Sequence, residues 1–292
     1  MRIVVTGASS FVGSFLCEVL ARQHSVVGIF RRTNEHVREL QERHGVRCLQ
    51  LDLTQQETIC RLPHGPDAMI HCAASFPASD LSATEVGRSN VGGTANLVDW
   101  ARDQAELKSF INISSTSVYG SITTSVLTEA TPTAANDIYG STKLAAEHLI
   151  DATLRDVSRV HLRMPVILGK GAERGFVPRV VRQLRANLPV TVKNPHTLHN
   201  ALSTRVALAA FLSHCLDEVI TTQGIVNLAA REPMTMFDIV TYLRSLTQST
   251  SQIVIDDSVT PSFIVDVSRA ESLGYRAPSV AIALESFVRG SG

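Results

Sequence analysis

The sequence predicts an α/β fold: a doubly wound parallel sheet of the Rossmann type, with a smaller substrate-side lobe toward the C-terminus. Three observations predict it. Strand and helix patterns alternate from the first residue, the strands are apolar runs rather than polar/apolar alternations, and a glycine turn joins the first strand to the first helix. Unbroken apolar strands belong to sheets covered on both faces, which is what successive β-α-β units with right-handed crossovers build.

The elements follow in order. Arg2–Thr6 reads as a buried strand and Phe11–Gln23 as a helix with Leu16, Val19 and Leu20 on one face. Ser25–Phe30 is the second strand. Asn34–His44 is a helix ended by Gly45, and Val46–Leu51 and Asp67–Cys72 are strands three and four. A helix is expected over Asn90–Gln104, a strand over Lys108–Ser114, a long helix over Ile138–Arg155 and a strand over Arg159–Arg163. Beyond Pro165 the rhythm changes. A charged glycine loop at Gly169–Gly175 precedes a helix at Val177–Asn187 and a short strand at Val190–Val192. Helices at Ala207–Val219 and Thr235–Leu246 then flank a strand at Gly224–Leu228. The expected division is residues 1–165 for the dinucleotide-binding domain and 166–292 for the substrate-side lobe, with part of 201–230 returning to the main sheet.

Composition narrows the class. The 292 residues are 44% hydrophobic, enough for a sizeable core, and Lys+Arg and Asp+Glu both count 27, so the formal net charge is zero. Bulk charge therefore suggests neither nucleic acid nor an anionic membrane as partner. No apolar run is long enough to span a bilayer. Cys17, Cys48, Cys60, Cys72 and Cys215 form no C-x-x-C pair and read as buried thiols of a reducing compartment, so a cytoplasmic location is expected. His196, His199 and His214 lack a cysteine or carboxylate at ligand spacing, so no metal site is expected.

Thr6–Gly13 reads TGASSFVG, between a strand and a helix, the context a dinucleotide fingerprint requires. Gly7 lets the chain turn off the strand and Gly13 lets the helix pack closely. Backbone N–H groups between them can hold a pyrophosphate at the helix N-terminus. Ser10 occupies the middle position of the pattern, where its hydroxyl could bond a phosphate. Strand two ends before Arg31 and Arg32. Two guanidiniums here favour the 2′-phosphate of NADP over the ribose hydroxyls of NAD, although a solvated pair opening the next helix fits the same residues. Asp52 could accept a hydrogen bond from adenine or cap a turn.

Tyr139 and Lys143 lie in YGSTK, four residues apart on one helix face. An ammonium beside a phenol stabilises the phenolate, which is what a tyrosine of pKa about 10 needs for acid–base work near neutrality. An ordinary surface pair has the same spacing. Ser115, in SSTSVYG at the end of strand five, could hold a substrate oxygen against Tyr139. Strand ends on this edge of an open sheet are where ligands bind. Arg163, Arg174 and Arg179 are candidate contacts for a substrate phosphate, with Arg163 equally readable as a structural pair.

The ordered segments TGASSFVG (6–13), HCAA (71–74), NVGGT (90–94), SSTSVYG (114–120), YGSTK (139–143) and LRMPVILG (162–169) resemble an extended short-chain dehydrogenase/reductase of the NAD-dependent epimerase/dehydratase family. The resemblance implies Ser115 as the substrate-oxygen hydroxyl, Tyr139 as acid/base and Lys143 as its partner and a ribose contact. It implies that Gly7, Ser10, Phe11 and Val12 line the pyrophosphate, that Asp52 and Leu53 flank adenine, and that Ala73 and Ala74 lie under the cofactor. Asn90 would fix the active-site backbone and Pro165 would lie beside the nicotinamide. Thr116 and Ser117 stand where the family's sugar dehydratases carry Asp-Glu. The expected activity is therefore hydride transfer at a hydroxyl or keto carbon, as a ketoreductase or epimerase and not a dehydratase. The expected substrate is a nucleotide-activated sugar, the cofactor NADP in preference to NAD, and the assembly a homodimer. Residues 193–200 (KNPHTLHN) lack the Gly-rich, Arg-containing pattern of sugar-nucleotide relatives, which keeps a non-sugar carbonyl reductase open. A non-catalytic NADP-sensing protein is the alternative outside enzymes.

Overall fold

A computed structural model describes residues 1–77, 81–217, 223–257 and 262–290. The chain packs as two compact units, one of Met1–Ser121, Pro132–Arg163 and Ser213–Val226, the other of Ile122–Thr131, Met164–Leu212 and Asn227–Gly292.

The first unit opens with β1 (Arg2–Thr6), α1 (Phe11–Leu20), β2 (Ser25–Phe30), α2 (Glu35–Arg43), β3 (Arg47–Gln50), the short α3 (Gln56–Ile59) and β4 (Ala68–His71). Then come α4 (Ala83–Gly87), a π-helical turn (Arg88–Gly92), α5 (Gly93–Arg102) and β5 (Ser109–Ser115), the last running straight into a 3₁₀ turn at Thr116–Tyr119. The chain order continues with β6 (Val126–Leu127), α6 (Ile138–Thr153) and β7 (Ser158–Met164). A later strand, β12 (Gly224–Asn227), lies beside β7 at the edge of a seven-stranded sheet of order β12-β7-β5-β4-β1-β2-β3. β1 runs parallel to β2 and β4, β2 to β3, and β4 to β5. Leu49, Ile29, Thr6, His71 and Asn112 are register partners across five neighbouring strands, so the strand ends lie in one row. Chain order reverses at β1, which makes the carboxyl ends of β1, β2 and β4 the switch-point crevice of the sheet.

Burial explains why these segments are strands. All four residues of β4 are buried, as are the last four of β1, the pattern of a sheet covered on both faces. Val4, Ile29, Met69 and Phe110 from the strands pack with Leu97, Val98, Trp100 and Ala101 of α5, Ile150 of α6 and Leu154 just after it.

The second unit contains β6, β8 (Val166–Leu168), α7 (Phe176–Arg185), β9 (Val190–Lys193), β10 (Leu198–His199) and β11 (Leu202–Thr204). The helix α8 (Arg205–Asp217) follows, and β13 (Met234–Thr235), α9 (Met236–Leu246), β14 (Ile253–Asp256), β15 (Ile264–Val265), α10 (Ser268–Ser272) and α11 (Val280–Arg289) complete the chain. Short ladders join β8 to β11, β9 to β14, β10 to β13 and β6 to β15. Val180 and Leu184 of α7, Val240 and Leu243 of α9 and Leu284 of α11 meet in its core. Asn200 pins two segments, donating to the carbonyls of Ala230 (2.8 Å) and Val265 (2.9 Å) and accepting from Val265 N–H (2.8 Å).

Several expectations need correction. The helix expected at Asn90 starts at Ala83, where Ser82 and Glu85 form a reciprocal capping box, and it passes through the π turn before α5. The first helix stops at Leu20, because residues 21–24 close as tight turns on Cys17, Val19 and Leu20. Helix α8 starts at Arg205, and residues 218 and 219 of the expected Ala207–Val219 helix lie outside the described residues. The thiols are not all buried: Cys17 is, Cys60 is exposed, and all five are free. Residues 122–131 precede Pro165 yet belong to the second unit.

Phe110, fully enclosed in the first unit, sets a stability test. Phe110→Ala is expected to cost about 3–5 kcal/mol in urea unfolding. Ile282→Ala, at a side chain 57% exposed, is expected to stay within about 0.5 kcal/mol of the parent chain.

Candidate active site

The turn from β1 to α1 is built on close backbone approach. Gly7 has φ +74°, and a Cβ there would lie 2.8 Å from the Ala73 nitrogen, while a Cβ on Gly13 would lie 2.3 Å from the Gly7 carbonyl oxygen. Only glycine fits either position, and the cradle so formed faces the first turn of α1, whose N–H groups have no intrahelical acceptors. These are residues that fit a dinucleotide pyrophosphate. Ser10 serves the helix: its Oγ accepts from Gly13 N–H at 3.0 Å as the N-cap. Its oxygen is thus committed to the helix, leaving the hydroxyl hydrogen as the part able to meet a phosphate. Asn34 steadies the loop, donating to Ser9 O at 2.8 Å while its Oδ1 caps α2 at Val37 N–H.

A pocket at the switch point is lined by Gly7, Ser10, Arg31, Asp52, Leu53, Ala73 and Ala74 of the expected set. Ser9, Ile29, Phe30, Leu51, Thr54, Ser75 and Ser89 line it as well and were not expected. Phe11, Val12, Gly13 and Arg32 lie outside its lining, as do Asn90 and Lys143. Pro165 is in the second unit, between β7 and β8. Asp52 does cap a turn, its Oδ1 accepting from Thr54 N–H (3.0 Å) and Thr54 Oγ1–H (2.9 Å).

The second half of the site lies at the end of β5. Ser115 is the last residue of that strand and the N-cap of the 3₁₀ turn. Its Oγ accepts from Ser117 N–H (3.1 Å), and its hydroxyl donates to Ser117 Oγ (3.1 Å). Helix α6 is capped by Asp137, which accepts from Gly140 N–H at 2.7 Å. Gly140 sits so close to the 3₁₀ turn that a Cβ would come 2.4 Å from Ser117 O. That contact brings the first turn of α6, with Tyr139, against the turn that carries Ser115. Lys143 follows one helical turn later, 3% exposed. Burial pushes its ammonium down from 10.5 to about 8, against smaller opposing effects of Cys72 and Glu147. Tyr139 stacks on Phe76, ring centroids 4.3 Å apart and planes inclined by 20°.

Two buried polar networks hold this arrangement. Asn90 of the π turn accepts from Ser75 N–H (2.6 Å) and donates to Ser75 O (2.9 Å) and Thr142 Oγ1 (3.0 Å). Thr142 in turn donates to Tyr139 O. Because Thr94 donates to Asn90 O (2.6 Å), it must accept from His71 Nε2–H (2.9 Å), which leaves His71 Nδ1 to accept from Thr6 Oγ1–H (2.7 Å). His71 is therefore neutral in the fold. The other network is an ion pair: Arg163 meets Glu147 through Nε (3.1 Å) and Nη2 (2.7 Å), and Ser114 also donates to Glu147. Arg163 lies over the Tyr119 ring at 4.6 Å. Of the two readings of Arg163, the structural pair is the one observed. Arg179 lies over Phe176 in the second unit. Among the described residues no cluster of His, Cys, Asp and Glu could hold a metal ion, and burial lowers the pKa of His199.

A parallel sheet with a glycine cradle at its switch point and a tyrosine, a buried lysine and a serine around one strand end defines a dinucleotide-binding enzyme of the short-chain dehydrogenase/reductase type. The NAD dependent epimerase/dehydratase family model matches residues 3–233, and the chain belongs to that family of enzymes. The dTDP-glucose 4,6-dehydratase of Neisseria gonorrhoeae is 30% identical over 53% of this chain and 50% of its own length. The L-arabinose 1-dehydrogenase (NAD(P)(+)) of Haloferax volcanii is 34% identical over 34% of this chain and 35% of its own. The chain thus matches about half, or less, of the length of these curated relatives. Among solved structures, UDP-glucuronic acid 4-epimerase from Bacillus cereus in complex with NAD superposes with TM-score 0.84 at 22% identity, covering 99% of this chain and 98% of that one. The Bordetella bronchiseptica enzyme WbmG in complex with NAD gives 0.86 at 22%, covering 99% and 93%. These two likenesses establish the shared fold.

Two expected outcomes follow. Alanine favours a helix over glycine by about 1 kcal/mol, yet Gly140→Ala is expected to destabilise the chain by about 1–3 kcal/mol in denaturant titration, because backbone must yield to backbone. For His71, burial chiefly, and Lys143 secondarily, lower the pKa from 6.5 to about 3. Between those values the unfolded chain binds a proton that the fold refuses, so unfolding free energy falls as pH drops through that window. His71→Gln is expected to flatten this part of the acid dependence, read as urea midpoint against pH.

Proposed function

We propose that the chain is an NADP(H)-preferring oxidoreductase or epimerase that moves hydride at a hydroxyl or keto carbon of a nucleotide-activated sugar. The observation that carries this reading is the burial of Lys143 one helical turn from Tyr139, on a helix pressed against the end of β5. An ammonium in a low-dielectric surrounding favours a neighbouring phenolate more strongly than it does in water.

When bound, the dinucleotide supplies the ring that accepts or gives hydride. Gly7, Ser10, Phe11 and Val12 would hold its pyrophosphate, Asp52 and Leu53 its adenine, and Ala73 and Ala74 its underside. Tyr139 gives a proton to the substrate oxygen as a carbonyl is reduced and takes one as a carbinol is oxidised. Lys143 stabilises the phenolate form and bonds the ribose. Ser115 turns its hydroxyl from Ser117 to the substrate oxygen. Asn90 holds the backbone beneath Tyr139 through Thr142.

Arg31, on the pocket lining, and its neighbour Arg32 support NADP, while the two solved neighbours hold NAD. Dehydratases are among the similar sequences, but Thr116 and Ser117 offer no carboxylic acid and carboxylate for expelling water from a sugar. Solved neighbours include epimerases in complex with UDP-glucuronic acid and with UDP-glucose, which supports the sugar-nucleotide class. The second reading, a reductase of a non-sugar carbonyl, is favoured by residues 193–200, which carry neither glycine nor arginine. We assign a homodimer paired through α5 and α6, on the exposed Ile138, Ser141, His148 and Ala152 of α6. We assign a cytoplasmic location on the five free thiols. No helix among the described residues is long and apolar enough to cross a membrane.

The test is cofactor titration by nucleotide fluorescence, then turnover on a panel of nucleotide sugars and simple ketones. NADPH is expected to bind more tightly than NADH, and Arg31→Ala with Arg32→Ala to remove the difference. Tyr139→Phe is expected to lower turnover by at least about 100-fold with cofactor affinity unchanged. Full turnover in that variant, or lost cofactor binding, would overturn the role given to Tyr139.

A further inference from the structure

Phe76 is a large apolar side chain left 46% exposed on the loop after β4. Most phenylalanines of a folded chain are placed by core packing, and an exposed aromatic beside a reactive group calls for another reason. Its ring lies nearly parallel to that of Tyr139, centroids 4.3 Å apart and planes inclined by 20°.

The backbone that presents Phe76 is fixed. It follows Ser75, whose N–H and C=O both bond the Asn90 side-chain amide, at 2.6 Å and 2.9 Å. The same amide nitrogen donates to Thr142 Oγ1 at 3.0 Å, and Thr142 donates to Tyr139 O at 2.9 Å. One buried amide thus sets both the loop that carries Phe76 and the helical turn that carries Tyr139. The ring–ring stack closes this circuit from the side-chain end.

We infer that Phe76 is a positioning residue for Tyr139, a flat wall that fixes the plane of the phenol ring. The inference rests on the reading of Tyr139 as the acid/base. Hydrogen bonds to the backbone act on the Tyr139 Cα, whereas the plane of its ring is set by two side-chain torsions. A stacked ring restricts those torsions on one face. A branched aliphatic chain would exclude water equally well without defining a plane. Because Phe76 is exposed, its replacement leaves the core untouched.

The experiment compares Phe76→Ala, Phe76→Leu and Phe76→Tyr with Tyr139→Phe in the full chain. The first measurement needs no substrate. The near-ultraviolet circular dichroism that disappears in Tyr139→Phe belongs to that ring. In Phe76→Ala this contribution is expected to collapse, with the thermal midpoint unchanged. The second is turnover on whichever panel substrate the parent enzyme accepts. Phe76→Ala and Phe76→Leu are expected to lose about 10- to 100-fold in kcat with KM and cofactor affinity within about twofold of the parent, and Phe76→Tyr to restore kcat. An unaltered Tyr139 signal in Phe76→Ala, parental kcat in Phe76→Leu, or a loss confined to KM would overturn the inference. Parental turnover in Tyr139→Phe would instead overturn the acid/base reading, whatever the dichroism of the Phe76 variants showed.

Discussion

The site depends on backbone meeting backbone at three points. Gly13 lets α1 approach the Gly7 carbonyl, Gly7 lets the first turn approach Ala73, and Gly140 lets α6 approach the Ser117 carbonyl. A single methyl group at any of them would fall inside 3 Å of a main-chain atom. Main chain does not yield as a flexible side chain does, so such a methyl shifts whole elements. The first two contacts shape a cradle for phosphate. The third brings the first turn of α6, which carries Tyr139, to the turn that Ser115 caps.

Around these contacts the fold accepts polar groups where apolar ones would pack more easily. His71 is enclosed and neutral, satisfied on both ring nitrogens by threonines of β1 and α5. Glu147 and Arg163 are buried together, bonded through two nitrogens of the guanidinium, with Ser114 as a third partner. Removing one member of such a pair strands the other, at a cost of about 3–5 kcal/mol, whereas the intact pair adds little net stability. What these groups contribute is position. Ser114 ties β5 to α6, and the Asn90 amide ties the loop after β4 to the same helix. Burial works against the Lys143 ammonium, with smaller opposing effects of Cys72 and Glu147.

The π turn at Arg88–Gly92 belongs to the same logic. An i→i+5 turn is rare within helices and frequent at functional sites. Here it sits between α4 and α5 and carries Asn90, whose amide reaches both Ser75 and Thr142. Its neighbour Ser89 lines the switch-point pocket.

Local chemistry made the frame legible from residues alone. Apolar runs marked the strands, the glycine turn marked the phosphate cradle, and the four-residue spacing of Tyr139 and Lys143 put both on one helix face. The start at Ala83 was missed, although the Ser82–Glu85 spacing of its capping box is a local signal for it. Other features had no signal in any single segment: Glu147 answering Arg163, and Phe76 lying on Tyr139. Periodicity and spacing report how an element presents its own faces, because those follow from the helical repeat and the pleat of one stretch of chain. Which groups then meet is set by the order in which strands line up and by how closely their loops approach. Residues 15 and 52 positions apart share one hydrogen-bond circuit only once the fold has brought the loop after β4, the π turn and α6 together.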